Sequence, residues 1–198
     1  MSGPKIVIVG AGYVGTYAAR RLRDKLRRSA ASVTVVDPRS YMTYQPLLSD
    51  VAAGSLEPRH VVVPLRQVLD GCRVVTGAVT RIDTERRTVR AAITADHDEE
   101  LSYDYLVVAP GSVSKILPVP GLAERAIGFT TLGEAIYLRN HVLAQLDKAS
   151  SVRDDALRQK LLTFVFVGGG YAGVEALGQL EEMARFAVRR YYGNLRGE

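Results

Sequence analysis

The chain has 198 residues, of which 47% are hydrophobic and 24% are charged, and its formal net charge is +5. These proportions match ordinary soluble globular proteins and exclude a disordered or fibrous chain. No apolar run approaches the roughly 18–20 residues that a membrane-spanning helix needs. The single cysteine, Cys72, excludes an intramolecular disulfide and a multi-cysteine metal site within these residues, and the three histidines lack metal-ligand spacing.

The excess positive charge is local, since arginines and lysines concentrate at 20–28 and at 185–196. Cations near helix C-termini complement the helix dipole, so we interpret both groups as solvated helix ends. Attraction to acidic lipid headgroups is the alternative, and nucleic-acid binding ranks third because no nucleic-acid module is present. The first residues, MSGPKIVIVG, have no signal-peptide pattern, which predicts a cytoplasmic protein.

The first predicted structure is a βαβ unit. Residues 5–9, KIVIV, form a short continuous apolar run, as expected of a strand buried on both faces of a parallel sheet. The turn GAGYVG and an amphipathic helix over 13–28 follow, and SVTVVD at 32–37 is the second strand. This order is typical of the first half of a nucleotide-binding domain.

The rest of the chain predicts an α/β protein with an antiparallel addition. Residues 38–60 form a long irregular excursion that we expect to be functional, and residues 73–94 alternate like an antiparallel hairpin. YDYLVVAPGS at 103–112 returns to a buried parallel strand. Residues 131–149 have the periodicity of an amphipathic helix, and a polar loop then leads to a strand over 161–167.

The first glycine motif is Gly10-x-Gly12-x-x-Gly15. In a dinucleotide fold the first glycine permits the tight turn, the second admits a pyrophosphate, and the third lets the helix pack closely on the sheet. Asp37 follows at about the 20-residue interval at which a carboxylate binds a ribose hydroxyl. Strand, helix and acid occur together, which favours a dinucleotide site with an unphosphorylated ribose, as in FAD or NAD.

A second motif, Gly168-x-Gly170-x-x-Gly173, has its own apolar run before it and a predicted helix from Tyr171 onward. Two such motifs imply two dinucleotides. The economical interpretation is one flavin and one nicotinamide, between which a hydride can pass.

Several segments resemble a known family in sequence and in order: KIVIVGAGYVG, YQPLLSDVAAG, VVVPLRQVL, YDYLVVAPGS, TLGEAIYLRNHVLAQLD and FVFVGGGYAGVE. The chain is similar to the two-dinucleotide flavoproteins that include glutathione reductase, and within them to type II NADH dehydrogenases. The resemblance implies a Rossmann-like FAD-binding domain with a parallel sheet and an antiparallel β-meander over 1–115. It implies that 116–198 hold a linker, a helix and the first strand and helix of a second Rossmann-like domain for NADH.

The resemblance also implies roles for individual residues. FAD would be bound by Gly10, Gly12, Gly15, Asp37, Gln45, Pro46, Val79, Ala109, Pro110 and Gly111. NADH would be bound by Gly168, Gly170 and Gly173. For Val79, ordinary core packing is nearly as good an interpretation.

Glu175 is the predicted catalytic residue. An acid in the first turns of a helix is stabilised by the helix dipole, which is its ordinary interpretation. The resemblance implies that this carboxylate faces the region between flavin and nicotinamide, where it would position the nicotinamide or relay a proton to the reduced quinone.

The predicted chemistry is hydride transfer from NADH to FAD, followed by electron delivery to a quinone or another small acceptor. A redox-disulfide mechanism is excluded because the cysteine pair is absent. Too few residues follow Gly173 for a βαβ half of about 30 residues. We therefore expect an N-terminal fragment of a longer enzyme, whose missing part would carry any peripheral membrane contacts. The alternative is a non-catalytic FAD- or nucleotide-binding module.

Overall fold

The computed structural model describes residues 3–113 and 116–197, so the predicted domain boundary at residue 115 lies outside the described residues. The strands are β1 (Lys5–Val9), β2 (Ser32–Asp37), β3 (Tyr41–Thr43), β4 (Val62–Pro64), β5 (Arg73–Thr76), β6 (Ala78–Asp83), β7 (Thr88–Thr94), β8 (His97–Ser102) and β9 (Tyr105–Val108). The α-helices are α1 (Tyr13–Leu26), α2 (Leu48–Ala52), α3 (Leu65–Val68), α4 (Leu122–Arg125), α5 (Leu132–Ser151), α6 (Asp155–Leu161) and α7 (Tyr171–Tyr191). Short 3₁₀ turns cover Gln45–Leu47, Pro58–Val61 and Gly193–Leu195.

The chain divides into two compact units, residues 1–43 with 62–112 and residues 44–61 with 113–198. The excursion after β3 therefore packs with the second unit, although it interrupts the first in sequence. The predicted assignment of cofactors to domains stays a prediction.

The first unit is built on a parallel sheet in the order β5-β2-β1-β9. Along β1 the side chains alternate between two cores because successive strand residues point to opposite faces. Ile6 and Ile8 pack in a cluster that includes Ala19 of α1 and Leu65 of α3. This arrangement explains why KIVIV is apolar at consecutive positions.

The opposite face of that sheet is covered by an antiparallel meander in the order β6-β7-β8. Val7 and Val9 of β1 pack there with Val89 and Leu101. The predicted α/β class with a parallel sheet and a meander is confirmed. The predicted hairpin over 73–94 differs at its start, because β5 pairs in parallel with β2 before the meander begins.

The second unit is mainly helical. Helix α2 packs against α5 and α7. Helix α5 begins with a capping box, in which Thr131 accepts from the backbone N–H of Glu134 and the Glu134 carboxylate accepts from the Thr131 backbone. Helix α6 occupies part of what we predicted as a polar loop, and its first turn is capped by Asp154, whose carboxylate accepts from Leu157 N.

The strand predicted over 161–167 is not a strand of any sheet. Leu161 ends α6, and residues 163–169 run on without pairing to another strand within the described part of the chain. An open apolar cleft of about 540 Å³ lies beside them, with Phe164 and Phe166 on one wall and Leu180 of α7 on another. Across residues 3–113 and 116–197, no helix is long and apolar enough to cross a membrane.

Candidate functional site

The first glycine motif forms a tight turn between β1 and α1. Gly10 has φ +94, a conformation that side-chain-bearing residues rarely adopt, and a Cβ there would lie 2.1 Å from the carbonyl oxygen of Ala109. The Gly10 N–H donates to the Val36 carbonyl at 2.8 Å, which ties the turn to β2. Glycine is therefore required at position 10 by backbone conformation and by space.

Gly12 and Gly15 serve different purposes. A Cβ on Gly15 would lie 1.8 Å from the Gly10 carbonyl oxygen, so this glycine allows α1 to approach the turn. A Cβ on Gly12 would meet no heavy atom within 4 Å among the described residues. Gly12 is also the N-cap of α1, and the described side chains provide no cap hydrogen bond to the helix. The turn thus leaves open space beside the N-terminus of α1, where the helix dipole is positive and suits an anion.

Asp37 ends β2 beside this turn and is buried, with 5% of its surface exposed. Its Oδ2 accepts from Ala11 N at 2.7 Å, and its Oδ1 accepts from Arg39 N at 2.8 Å. Each carboxylate oxygen retains capacity for another donor, such as a ribose hydroxyl. The structure therefore brings the acid to the residue that directly precedes Gly12.

The other predicted residues of the first unit lie around the same end of the sheet. Ala109 follows β9, and its N–H donates to the Val9 carbonyl at 2.8 Å. Pro110 comes next, and Gly111 has φ +79, a turn conformation that favours glycine. Val79 lies on β6 and packs, partly buried, against the cluster beneath the meander, so its side chain contributes to the core.

Gln45 and Pro46 lie in the second unit, in the 3₁₀ turn before α2. Gln45 Nε2 donates to the Thr130 carbonyl at 3.2 Å. Thr130 in turn donates its N–H and its hydroxyl to Glu134 Oε2 at 2.8 and 2.9 Å. Partial burial alone would raise the pKa of Glu134, but the donors from Thr130 and Thr131 outweigh it and hold this pKa below its usual 4.5. The segment that carries Gln45 is thus linked to the cap of α5.

The second glycine motif is more open than the first. Gly168 has φ +113, and a Cβ on Gly168 or Gly170 would meet no described heavy atom within 4 Å. A Cβ on Gly173 would lie 3.1 Å from the Gly168 carbonyl oxygen, against 1.8 Å for the matching pair in the first motif. Glu175 is exposed in the second turn of α7. The motif has the expected glycine turn and helix, but no strand directly precedes the turn within the described residues and the packing is looser.

Sequence reasoning missed three residues that shape the first site. The Thr16 hydroxyl, which is buried, donates to the Ala11 carbonyl at 2.9 Å and fixes the turn from inside α1. Gly77 N donates to the Asp37 carbonyl at 3.0 Å, where a Cβ would collide with Ile93 and Ala92. Arg39 contacts the Asp37 carboxylate. In the sequence, the only signal for this contact is that Arg39 stands two residues after Asp37.

Groups of histidine, cysteine, aspartate or glutamate that could hold a metal ion do not occur within residues 3–113 and 116–197. Cys72 is partly buried, and burial raises the pKa of its thiol. The first glycine turn thus combines open space at the N-terminus of α1 with a buried neighbouring carboxylate.

Comparison with known proteins places this geometry in context. A relative described as a type II NADH:quinone oxidoreductase of Mycobacterium tuberculosis is 33% identical over 188 residues, covering 93% of this chain and 40% of the relative. An external alternative NADH-ubiquinone oxidoreductase of Yarrowia lipolytica is 30% identical over 203 residues, covering 98% of this chain and 34% of the relative. The chain thus spans little more than a third of the length of these relatives.

The solved structure of NDH2 from Plasmodium falciparum in complex with NADH has the same fold over 96% of this chain and 39% of its own, with a TM-score of 0.88 and 24% identity. The family model for pyridine nucleotide-disulphide oxidoreductases matches residues 4–189. The chain therefore belongs to the pyridine nucleotide-disulphide oxidoreductase family.

Proposed function

We propose that this chain is the FAD-binding part, together with the beginning of the NADH-binding part, of a flavoprotein that oxidises NADH and reduces a quinone. The observation that carries the proposal is the first glycine turn. A Cβ would collide with backbone atoms at Gly10 and at Gly15, but it would meet no described atom at Gly12. The buried Asp37 carboxylate lies beside that opening. The relatives described as NADH:quinone oxidoreductases support the choice of reaction.

The residues present fit FAD. The open space at Gly12 and the uncapped start of α1 would hold the pyrophosphate, and Asp37 would accept from the adenosine ribose. Val79 would contact the adenine through its backbone. Residues 109–111 would form the turn behind the flavin, while Gln45 and Pro46 would contribute from the excursion after β3. When bound, FAD would supply the redox chemistry, because its flavin accepts a hydride and then passes the electrons on.

NADH would bind at the second motif through the turn at Gly168, Gly170 and Gly173, for which the open space at Gly170 is support. Glu175 would position the nicotinamide or relay a proton to the reduced quinone.

A quinone acceptor is favoured over a redox disulfide because the 198 residues contain one cysteine. We also propose a cytoplasmic protein that meets its quinone at a membrane surface, which cell fractionation would test.

The first experiment measures FAD binding by the purified 198-residue chain, using the quenching of flavin fluorescence. Wild type and Gly178→Ala should bind alike, because Gly178 lies on α7 with open space around it among the described residues. Gly12→Ala should weaken FAD binding at least about 10-fold, because a methyl group would occupy the place of a phosphate. It should change the unfolding free energy by less than about 1 kcal/mol. Equal FAD affinity for Gly12→Ala and wild type would contradict the site.

The second experiment tests the reaction in a chimera, in which residues 1–198 replace the matching part of the Mycobacterium tuberculosis relative. We expect NADH:quinone activity that Gly12→Ala abolishes, that Glu175→Gln reduces, and that Gly178→Ala leaves unchanged. A chimera that folds and binds FAD but oxidises no NADH would contradict the assignment. Unchanged turnover in Glu175→Gln would remove the role of this carboxylate.

A further inference from the structure

Arg39 is the cation paired with the buried carboxylate of the first site. Its guanidinium Nε lies 3.7 Å from Asp37 Oδ1, and its backbone N–H donates to the same oxygen at 2.8 Å. About half of the Arg39 side chain is exposed, whereas only 6% of the Asp37 side chain is exposed. The guanidinium therefore lies on the solvent side of the carboxylate.

The guanidinium is not needed to orient Asp37. Two backbone N–H groups, from Ala11 and from Arg39 itself, already hold one carboxylate oxygen each at 2.7 and 2.8 Å. At 3.7 Å the guanidinium is beyond ordinary hydrogen-bond distance for N–H to oxygen. What the side chain of Arg39 adds to the site is mainly its positive charge.

That charge matters because the site must hold two anions close together. Asp37 Oδ2 is bound to Ala11 N, and the next residue, Gly12, provides the opening for a phosphate. A buried carboxylate repels a diphosphate bound at the neighbouring residue, since charges in a partly desolvated site are screened less than charges in water. An adenosine without phosphates experiences no such repulsion.

We propose that Arg39 is a charge-compensating residue of the first dinucleotide site, an inference that rests on the proposed function. Its charge makes the site select an adenosine diphosphate group over adenosine. The positive charge offsets the repulsion between the Asp37 carboxylate and the diphosphate. Asp37 can thereby keep its acceptor oxygens for the ribose while the neighbouring turn binds phosphate. Arg39 acts through the electrostatic field and is a specificity-determining residue.

The test compares the affinities of FAD, ADP and adenosine for wild type, Arg39→Gln and Arg39→Lys, measured by calorimetry at low and high salt. Arg39→Gln should weaken FAD and ADP roughly 3- to 5-fold, near the upper end for loss of a partly exposed charge that makes no hydrogen bond. Adenosine affinity should change less than about 2-fold by the same reasoning, because the nucleoside carries no phosphate charge. Arg39→Lys should recover most of the lost ADP affinity, and salt should diminish the difference between wild type and Arg39→Gln.

The matched control is Arg28→Gln, which removes the same charge from an exposed position just beyond α1, at the end opposite the glycine turn. It should leave all three affinities within about 2-fold of wild type, since α1 spans roughly 20 Å and salt screens charges over that distance. Urea unfolding of the ligand-free chain should be nearly the same for Arg39→Gln and Arg39→Lys, so that a fold defect is distinguished from a charge effect.

The outcomes separate the two proposals. Wild type that binds neither FAD nor ADP overturns the proposed function and this inference together. Wild type that binds both, with Arg39→Gln binding ADP equally well, overturns only the inference. Equal weakening of adenosine and ADP would show that Arg39 acts on the nucleoside rather than compensating phosphate charge, and would also overturn the inference.

Discussion

Gly15→Ala gives the sharpest test of the first glycine turn. The new Cβ would lie 1.8 Å from the Gly10 carbonyl oxygen and 2.9 Å from the Gly10 carbonyl carbon. Both atoms belong to the backbone, so no side-chain rotation can relieve the overlap. Helix α1 would have to move away from the turn, and the packing of Ala19 against Ile8 would loosen with it.

The expected cost follows from two opposing effects. Overpacking a tight contact costs about 3 kcal/mol at the upper end of the usual range, which applies because the contact is backbone against Cβ. Alanine returns up to about 1 kcal/mol through its higher helix propensity. The net loss is then about 2 kcal/mol, or a fall of about 1 M in the urea midpoint for an m-value near 2 kcal/mol/M.

The assay is urea unfolding of the ligand-free chain, followed by far-ultraviolet circular dichroism. Gly178→Ala provides the control because its Cβ would enter open space on α7 within the described structure, where helix propensity alone should stabilise the chain by about 0.5–1 kcal/mol. The same substitution is thus expected to have opposite signs at the two glycines. A Gly15→Ala midpoint equal to or above that of wild type would refute the geometry of the turn.

Three further outcomes are expected in the same assay. Gly173→Ala should change the unfolding free energy by less than about 1 kcal/mol, because its contact at 3.1 Å can relax and helix propensity offsets it. The pKa of Glu134 is lowered, so its carboxylate stabilises the fold above about pH 4.5 and loses this effect as pH falls further. The midpoint difference between wild type and Glu134→Gln should therefore shrink between pH 5 and pH 3, roughly the range around that pKa, and a constant difference would contradict this. Tyr192 donates to Asp147 Oδ1 at 2.6 Å, and this bond, followed by burial, raises the pKa of Tyr192 to about 12. Tyr192→Phe should cost about 0.5–1.5 kcal/mol at neutral pH, and the difference from wild type should vanish as pH rises from about 10 to 12. A cost that persists at the higher pH would exclude the phenol as its source.

The parallel sheet could be predicted because its strands carry their signal locally. Strand β1 is apolar at every position from Ile6 to Val9, which follows from the two cores on its two faces. Helix α5 has a clear amphipathic pattern and a capping box. Helix α6 has a helix-start signal in Asp154, which caps it, but its seven mostly polar residues provide no apolar periodicity from which a helix could be predicted.

The apolar run at 161–167 shows where local pattern is insufficient. Its composition is typical of a buried strand, but a strand exists only when another strand pairs with it. At the first site, the meeting of Gly10, Gly12, Gly15 and Asp37 at one turn was predictable, because their spacing fixes where a strand–turn–helix–strand unit brings them. Arg39 was not, since its contact with the carboxylate depends on how the chain turns after β2.

Residues 163–169, beside the apolar cleft, are apolar or uncharged and pair with no strand among the described residues. Residues 161–171 carry no charged side chain, and Val165 is 81% exposed. Such a stretch is a template on which further extended chains can add, so concentrated samples should form β-rich oligomers. Val165→Lys would place a gatekeeper charge there while leaving the two phenylalanines of the cleft in place. For purification and crystallisation, this single position is the first to change.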